Sequence, residues 1–485
     1  MNERIIGFLP RHNHAAEPVP DSGDARRAAD RHAVKIEHVV RQLRGRPPGR
    51  PVSLKKKAVS HQVPKARDLK YTDDKIDISD LDEILEIDPA ARTCTAEPGV
   101  TFAALVEATL RHGLAPIVVP ELKTITVGGA VSGGSLESMS FREGGFHDTC
   151  LEYEVITATG EVLRCTPGNE HGLVFQMMHG SFGTLGILSC LTFRLVAALP
   201  FVHVRYEHHD TLDEYRAAIR RHAVDGDVDF MDGMIHGPTH WVLSLGRFVE
   251  SAPYANRYNW MKVYCRSTAT RREDFLRTLD YFFRYDNGVT NVHPQSAVGR
   301  LLVGKFLHSS ELLRLAEKLH RWLPAERPDV TVDVFVPLSR LDAFMAWYEP
   351  ALGHFPLWCV PYRRMRDYEW LAPEVFEGVP DELFVDLAIY GMKQPAGRNI
   401  YKELEEQLPK FNGIKALLSH NYYEPDAFWR IFNKANYAAV KRITDPHNLF
   451  RDLYSKTCRA ARGLPDADLA PAVGHDLRHL HLAHR

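Results

Sequence analysis

The stretch TVGGAVSGGSLESMSFREGGFHD, residues 126–148, gathers six glycines and four serines into one short segment. Glycine weakens helices and strands alike, and it is tolerated in bulk only where backbone must bend sharply or approach another group closely. The segment therefore restricts the chain to folds that hold main chain against a ligand. Free N–H groups in tight turns make concavities suited to phosphate oxygens, and Ser132, Ser135 and Ser138 add hydroxyl donors. The next run, LEYEVITATGEVLRC, alternates apolar and polar residues around Thr159 and Gly160 and spells a β-hairpin.

Related loops are dispersed: VSH at 59–61, TVGG at 126–129, SGGS at 132–135, GG at 144–145 and GTLG at 183–186. Such spacing suits an extended dinucleotide. A nicotinamide-type Rossmann site does not fit, because no GxGxxG opens a helix after a first strand with an acidic residue about 20 positions on. GRLLVGKF at 299–306 puts Phe306 where a Walker A loop needs Ser or Thr for magnesium. HGSFGTLG lacks the glycine two positions before Ser181 that a nucleophile elbow requires, which argues against a serine hydrolase.

At 485 residues the chain accommodates two or three cores without covalent help. A net charge of −2 excludes a general electrostatic partnership with nucleic acid. Seven scattered cysteines with no CxxC pair point to a reducing, cytoplasmic setting. No apolar run approaches the ~20 residues that cross a bilayer; peripheral membrane contact stays compatible with this. The four histidines of the C-terminal HDLRHLHLAHR have no carboxylate or cysteine at regular ligand spacing, so no metal is expected.

The fold class is α+β. A tail at 1–32 leads to a helix from Ala33 to Leu43, then strands, a helix from about Thr101 to His112 ended by Gly113, the glycine segment, the hairpin and the strand ILSCLTFRLV. This first unit spans 33–198. From 199 to 455 short strands (FVHVRYEH, HWVLSLGRF, DVTVDVFVPL) alternate with amphipathic stretches read as helices (REDFLRTLDYFFRY, SELLRLAEKLHRWL, LDAFMAWYEPAL), the layout of an antiparallel sheet covered by helices on one face. PDAFWRIFNKANYAAVKRIT reads as one helix stopped by Asp445 and Pro446, and 456–485 as a tail.

The order TVGG, glycine-rich turn, GGFHD, strand and hairpin, HGSFGTLGIL resembles the vanillyl-alcohol-oxidase, PCMH-type FAD-binding domain, and NYAAVKRITDPHNLF resembles that family's closing segment. Within it, GRPPGRPVSLKK, AEPGVTFAAL, VPELKTITVGG, LESMSFREGGF and GTLGIL are similar to the Δ24-sterol reductases. The resemblance implies FAD contacts at Pro120, Thr126, Val127, Gly128, Gly129, Gly133, Gly134, Ser135, Glu137, Gly144, Gly145, Asp148, Gly183, Thr184, Gly186 and Ile187, with Ser60 and His61 in the first phosphate loop. That loop reads KKAVSHQV and has no glycine, so non-covalent FAD is expected, with Lys55 to Lys57 supplying charge. A histidine-rich segment of the reductases corresponds here to YFFRYDNG, which keeps Arg284 but no histidine.

The implied activity is hydride transfer between flavin N5 and a carbon of a small, hydrophobic substrate, with C=C reduction the leading case and NADPH a candidate electron donor. An alcohol or aldonolactone oxidase using dioxygen and a non-catalytic flavin module are the alternatives. Alkene reduction needs a proton donor and alcohol oxidation a base, and the cluster SHNYYEPDAFW offers His420, Tyr422 and Tyr423. The aromatic density after residue 200 favours an apolar pocket.

Overall fold

The computed structural model describes residues 22–46, 50–258, 263–286 and 329–466. The near-miss motif at 299–306, the stretch at 310–323 and the C-terminal histidines lie outside the described residues. The chain is α+β, with three sheets.

The first unit holds β1 (Val52–Lys55) and β2 (Asp74–Asp77), a parallel pair, and then β3 (Ile84–Asp88), β4 (Thr93–Ala96), β5 (Leu114–Pro116), β6 (Cys150–Ile156), β7 (Val162–Cys165) and β8 (Ile187–Ala197). The latter six form an antiparallel sheet in the order β3-β4-β8-β6-β7, with β5 also on β8. The hairpin forms as its alternation implied: Ile156 faces Val162 across the turn, and Gly160 takes a φ of +78°.

The opening helix is longer than its apolar period implied, spanning Ser22–Arg44. Residues that read as tail carry the reason. His32 sits 2.8 Å from Glu97 and 3.1 Å from Glu154, Lys35 also reaches Glu97 at 2.8 Å, and Arg31 pairs with Glu83. Polarity had masked a buried face, because these charges are satisfied only by the sheet beneath.

The second unit is an eight-stranded antiparallel sheet of β9 (Phe201–His209), β10 (Phe230–Gly237), β11 (His240–Val249), β12 (Glu273–Arg277), β13 (Val330–Pro337), β14 (Leu357–Arg363), β15 (Leu383–Met392) and β16 (Ile414–Lys415). Its order is β12-β9-β11-β10-β14-β15-β13-β16. Period-2 alternation divides it into two faces. Val332, Val334, Val336, Leu387, Ile389 and Cys359 pack with Tyr215, Ile219, Phe344, Tyr348 and Leu404 from the outer helices. Each such side chain contributes about 1.5–3 kcal/mol by burial, which sets the register of every strand. The opposite residues, including Met234, Trp358 and Val360, share a core with Val127, Phe146 and Phe182 of the first unit. That inner face, turned toward the glycine segment, frames the site.

Two local readings are corrected. REDFLRTLDYFFRY is not one helix: its first half is edge strand β12, and only Thr278–Phe282 is helical. Phe275 lies flat on His203 at 4.2 Å across the strand pair, and Asp274 is buried against Tyr258 and Asn256, contacts that override a helical period. PDAFWRIFNKANYAAVKRIT is two helices, Pro425–Ile431 and Lys434–Thr444, because Phe432 is extended and Asn433 caps the second through Asn436 N at 3.1 Å. The supposed tail from 456 continues as helical turns to Arg462, with Cys458 and Ala460 buried. Among the described residues no helix is long and apolar enough to cross a membrane, and no group of three or more ligating side chains could hold a metal ion.

Candidate active site

Part of the glycine segment is helical. Residues Val127–Gly133 form a short helix whose N-cap, Thr126, accepts a hydrogen bond from Gly129 N at 3.2 Å. Val127 N donates to Val100 O and Gly128 N to Pro98 O, each at 3.0 Å. The amides expected to be free for phosphate are therefore occupied. Glycine is required here for a different reason: a Cβ on Gly128 would collide with Pro98.

Free amides lie elsewhere. Residues 57–60 follow β1 with no backbone hydrogen bond from their N–H groups. The loop borders a groove enclosing about 620 Å³, lined also by Lys56, Lys57, Ala58, Ser79, Gly99, Thr126, Gly128, Gly129, Ser132, Ser181, Gly183 and Gly186. No carboxylate lines it. Lys456 Nζ donates to Phe182 O at 2.7 Å beside Gly183, and burial pulls its ammonium down to about 8. A basic groove bounded by free main-chain donors suits a phosphate chain.

A second space of about 750 Å³ adjoins it between the two units. The shared wall is a two-bond ladder, Gly180 N to Val131 O at 3.2 Å and Phe182 N to Ser132 O at 3.0 Å. Ser132, Ser181 and Gly183 face the groove, whereas Gly133, Gly134, Gly180 and Phe182 face the cleft. A Cβ on Gly133 or Gly134 would meet nothing within 4 Å, so it would stand in open cleft space. The opposite wall is the inner face of the large sheet and its loops: Phe335, Tyr362, Arg364, Tyr368, Trp370, Phe376 and Leu417. A wall opened by Gly133, Gly134 and Gly180 opposite an aromatic one fits a planar ring system next to an apolar substrate, and the groove fits the phosphates of the same dinucleotide.

Of the expected cofactor residues, Thr126, Gly128, Gly129, Gly183 and Gly186 border the groove, and Gly133 and Gly134 border the cleft. Ser60, His61, Pro120, Val127, Ser135, Glu137, Gly144, Gly145, Asp148, Thr184 and Ile187 line neither space. GGFHD instead serves its own loop and the junction. Gly144, at φ +74°, and Gly145 leave room for Asp148 and His147, whose atoms a Cβ would overlap. Asp148 accepts from Gly145 N and from Tyr368 Oη, both at 2.9 Å, and pairs with Arg366, tying the two units together. Glu137 and Asp232 share the fully buried guanidinium of Arg284 at 3.1 and 3.0 Å. His61 is engaged with Thr124 Oγ1 at 3.0 Å, and burial lowers its imidazole to about 4.

The expected acid-base set does not assemble on the cleft. Tyr422 and Tyr423 line a different groove with Glu374, Lys402 and Trp429. His420 is buried, its imidazole pushed down to about 3 by desolvation and by Lys65 and Lys415. The turn wraps a buried ion pair: Lys415 bonds Glu405 and His420 O, and Glu405 accepts from Tyr422 N at 3.0 Å. The cleft residues Tyr362 and Arg364 come from FPLWCVPYRR and Trp370 from YEWLAP, segments whose aromatic density points to an apolar pocket without singling out any residue. Only the alternation of the first, with Trp358, Val360 and Tyr362 on one face, signals a second surface.

Comparisons with known proteins agree with this geometry. Residues 66–166 match the family model described as an FAD binding domain. The chain is 26% identical to the human Delta(24)-sterol reductase over 402 residues, 79% of this chain and 77% of the relative. It is 23% identical to a Delta(24)-sterol reductase homolog of Caenorhabditis elegans over 94% of this chain and 92% of that one. A shorter similarity, 30% over 138 residues, covers 28% of this chain and 26% of cytokinin dehydrogenase 7 of rice (Oryza sativa subsp. japonica). Groove and matched domain together make this an FAD-binding chain that is similar along most of its length to the Delta(24)-sterol reductases.

Proposed function

We propose that this protein reduces a carbon–carbon double bond in a hydrophobic small molecule with FAD, as the names of its sterol reductase relatives imply for them. The single observation that carries the reading is the aromatic inner wall of the large sheet facing Gly133 and Gly134 across the cleft. Bound FAD would supply hydride transfer at N5. Lys56, the amides of Lys57 and Ala58, and the groove edge at Gly129 and Gly183 would hold its phosphates, and Gly133 and Gly134 would admit its ring. Engagement of His61 by Thr124 supports non-covalent binding. In this reading the FAD unit ends near residue 198 and the substrate unit follows to 455. NADPH is the proposed electron source, and the seven free cysteines support a cytoplasmic setting.

The test begins with the purified chain reconstituted with FAD, its spectrum recorded before and after acid precipitation. The expected outcome is yellow protein, a colourless precipitate, bleaching by NADPH, and a product two mass units heavier from a sterol with an unsaturated side chain. Peroxide formation with an alcohol and dioxygen would overturn the reductase reading in favour of an oxidase. A flavin that no reductant bleaches would leave only a binding module.

A further inference from the structure

Tyr362 stands in β14 opposite Phe384 on β15, on the inner face of the sheet, and it lines the cleft together with Arg364. Its ring is braced by Phe335, edge-on at 5.7 Å, and by Phe384 at 5.4 Å. Its hydroxyl is the unusual part. Three other buried phenols near the cleft have partners: Tyr285 donates to Asp232 and Tyr390 to Asp333, each at 2.6 Å, and Tyr368 to Asp148 at 2.9 Å, whereas the sealed Tyr215 Oη, in the outer core, has none. A tyrosine packed among aromatics normally finds such a partner. Tyr362 Oη has none among the described residues, and it is not sealed from the cleft. Burial and the nearby Asp386 raise its pKa, with Arg364 opposing, so the phenol carries its proton at neutral pH. Arg364, which also lines the cleft, leans on Phe376 at 4.6 Å, and its ion-pair partner among the described residues is the exposed Asp367 at 3.3 Å.

We propose that Tyr362 is the proton donor of the reduction, with Arg364 as the positioning residue that stabilises the phenolate. The inference rests on the reading of the chain as an alkene reductase. As hydride from the two-electron-reduced flavin reaches one alkene carbon, the π pair of the double bond takes the proton of Tyr362 Oη at the other. The O–H electron pair stays on oxygen as a phenolate beside Arg364, and a water at the cleft mouth returns the proton. The electrons come from the reduced nicotinamide that recharges the flavin. General acid catalysis of this kind is worth about 10²–10⁴-fold.

The experiment uses full-length protein loaded with FAD, reduced with dithionite and mixed anaerobically with a sterol bearing a trisubstituted side-chain alkene. In Y362F, flavin reoxidation by the sterol should fall at least about 100-fold, while FAD affinity and reoxidation by dioxygen stay at wild-type values. Difluorotyrosine at position 362, which acidifies the phenol, should move the alkaline limb of the rate profile to lower pH. R364M should move it higher with FAD affinity unchanged. Reoxidation of Y362F at the wild-type rate, or a fluorotyrosine protein with an unmoved limb, would overturn the role of Tyr362 while leaving the reductase reading intact. A wild-type protein that no alkene reoxidises would overturn both. Loss of FAD affinity in Y362F would reassign the residue to cofactor binding and overturn the proton-donor role.

Discussion

The inner face of the large sheet is built in two ways. Across β10 and β14 its polar groups are closed on one another: Asp232 takes Tyr285 Oη at 2.6 Å, Trp358 Nε1 at 3.1 Å and Arg284 at 3.0 Å. Tyr281 and Tyr285 sandwich the guanidinium at 4.1 and 4.8 Å. Across β13 and β15 the carboxyls have no cation. Asp333 bonds only Tyr390, and one oxygen of Asp386 is buried without a partner. Burial pushes the Asp333 carboxyl up to about 6 and that of Asp386 well above its usual range. One half is therefore a rivet between the units, and the other holds buried carboxyls with no cation partner among the described residues. The same strands serve both because a sheet offers every second residue to each face regardless of what that face must do.

The largest effect should come from breaking the rivet. Arg284→Leu strands Glu137 and Asp232 as buried, uncompensated charges and should cost about 3–5 kcal/mol, seen as a lowered urea midpoint. Tyr285→Phe, which removes a hydrogen bond to a charged group, should cost about 1.5–3 kcal/mol in the same assay. Tyr362→Phe removes a hydroxyl with no protein partner and should change stability by less than about 0.5 kcal/mol, so the two tyrosines report the contrast directly. An equal loss from both would erase the distinction between the halves.

A buried ion set away from the sheet sharpens the comparison through pH. Hydrogen bonds and charge from Glu154 and Glu97 outweigh the opposing desolvation and raise His32 from 6.5 to about 9. Its folded pKa exceeds its unfolded one, so its contribution is complete below about pH 6.5 and is lost as pH rises toward 9. The melting temperature should fall by roughly a few degrees across that window, and His32→Gln should flatten the slope.

Much of the fold was legible because it rests on local rules. Turn chemistry at Thr159 and Gly160, the helix beginning near Thr101 and period-2 strands each act within a few residues. Readings failed where a distant partner decided, as in the helix that turned out to be β12 and the charged helix start that is buried against Glu97. The groove was half legible. GTLG and TVGG do border it, yet the free amides belong to a loop without glycine, because TVGG gives its own to Pro98 and Val100.

By itself, the sequence determined that backbone would approach a dinucleotide, through glycines whose missing Cβ is a property of the residue and not of its surroundings. Which side chains meet the substrate was decided only by the tertiary structure. Tyr362 and Tyr423 are equivalent in the sequence, an aromatic beside a basic or acidic neighbour. One faces the cleft because its strand parity turns it inward, and the other closes over Lys415 because the turn that carries it wraps the buried pair of Lys415 and Glu405. Parity and packing are set by burial summed over the whole sheet, and no short segment carries that sum.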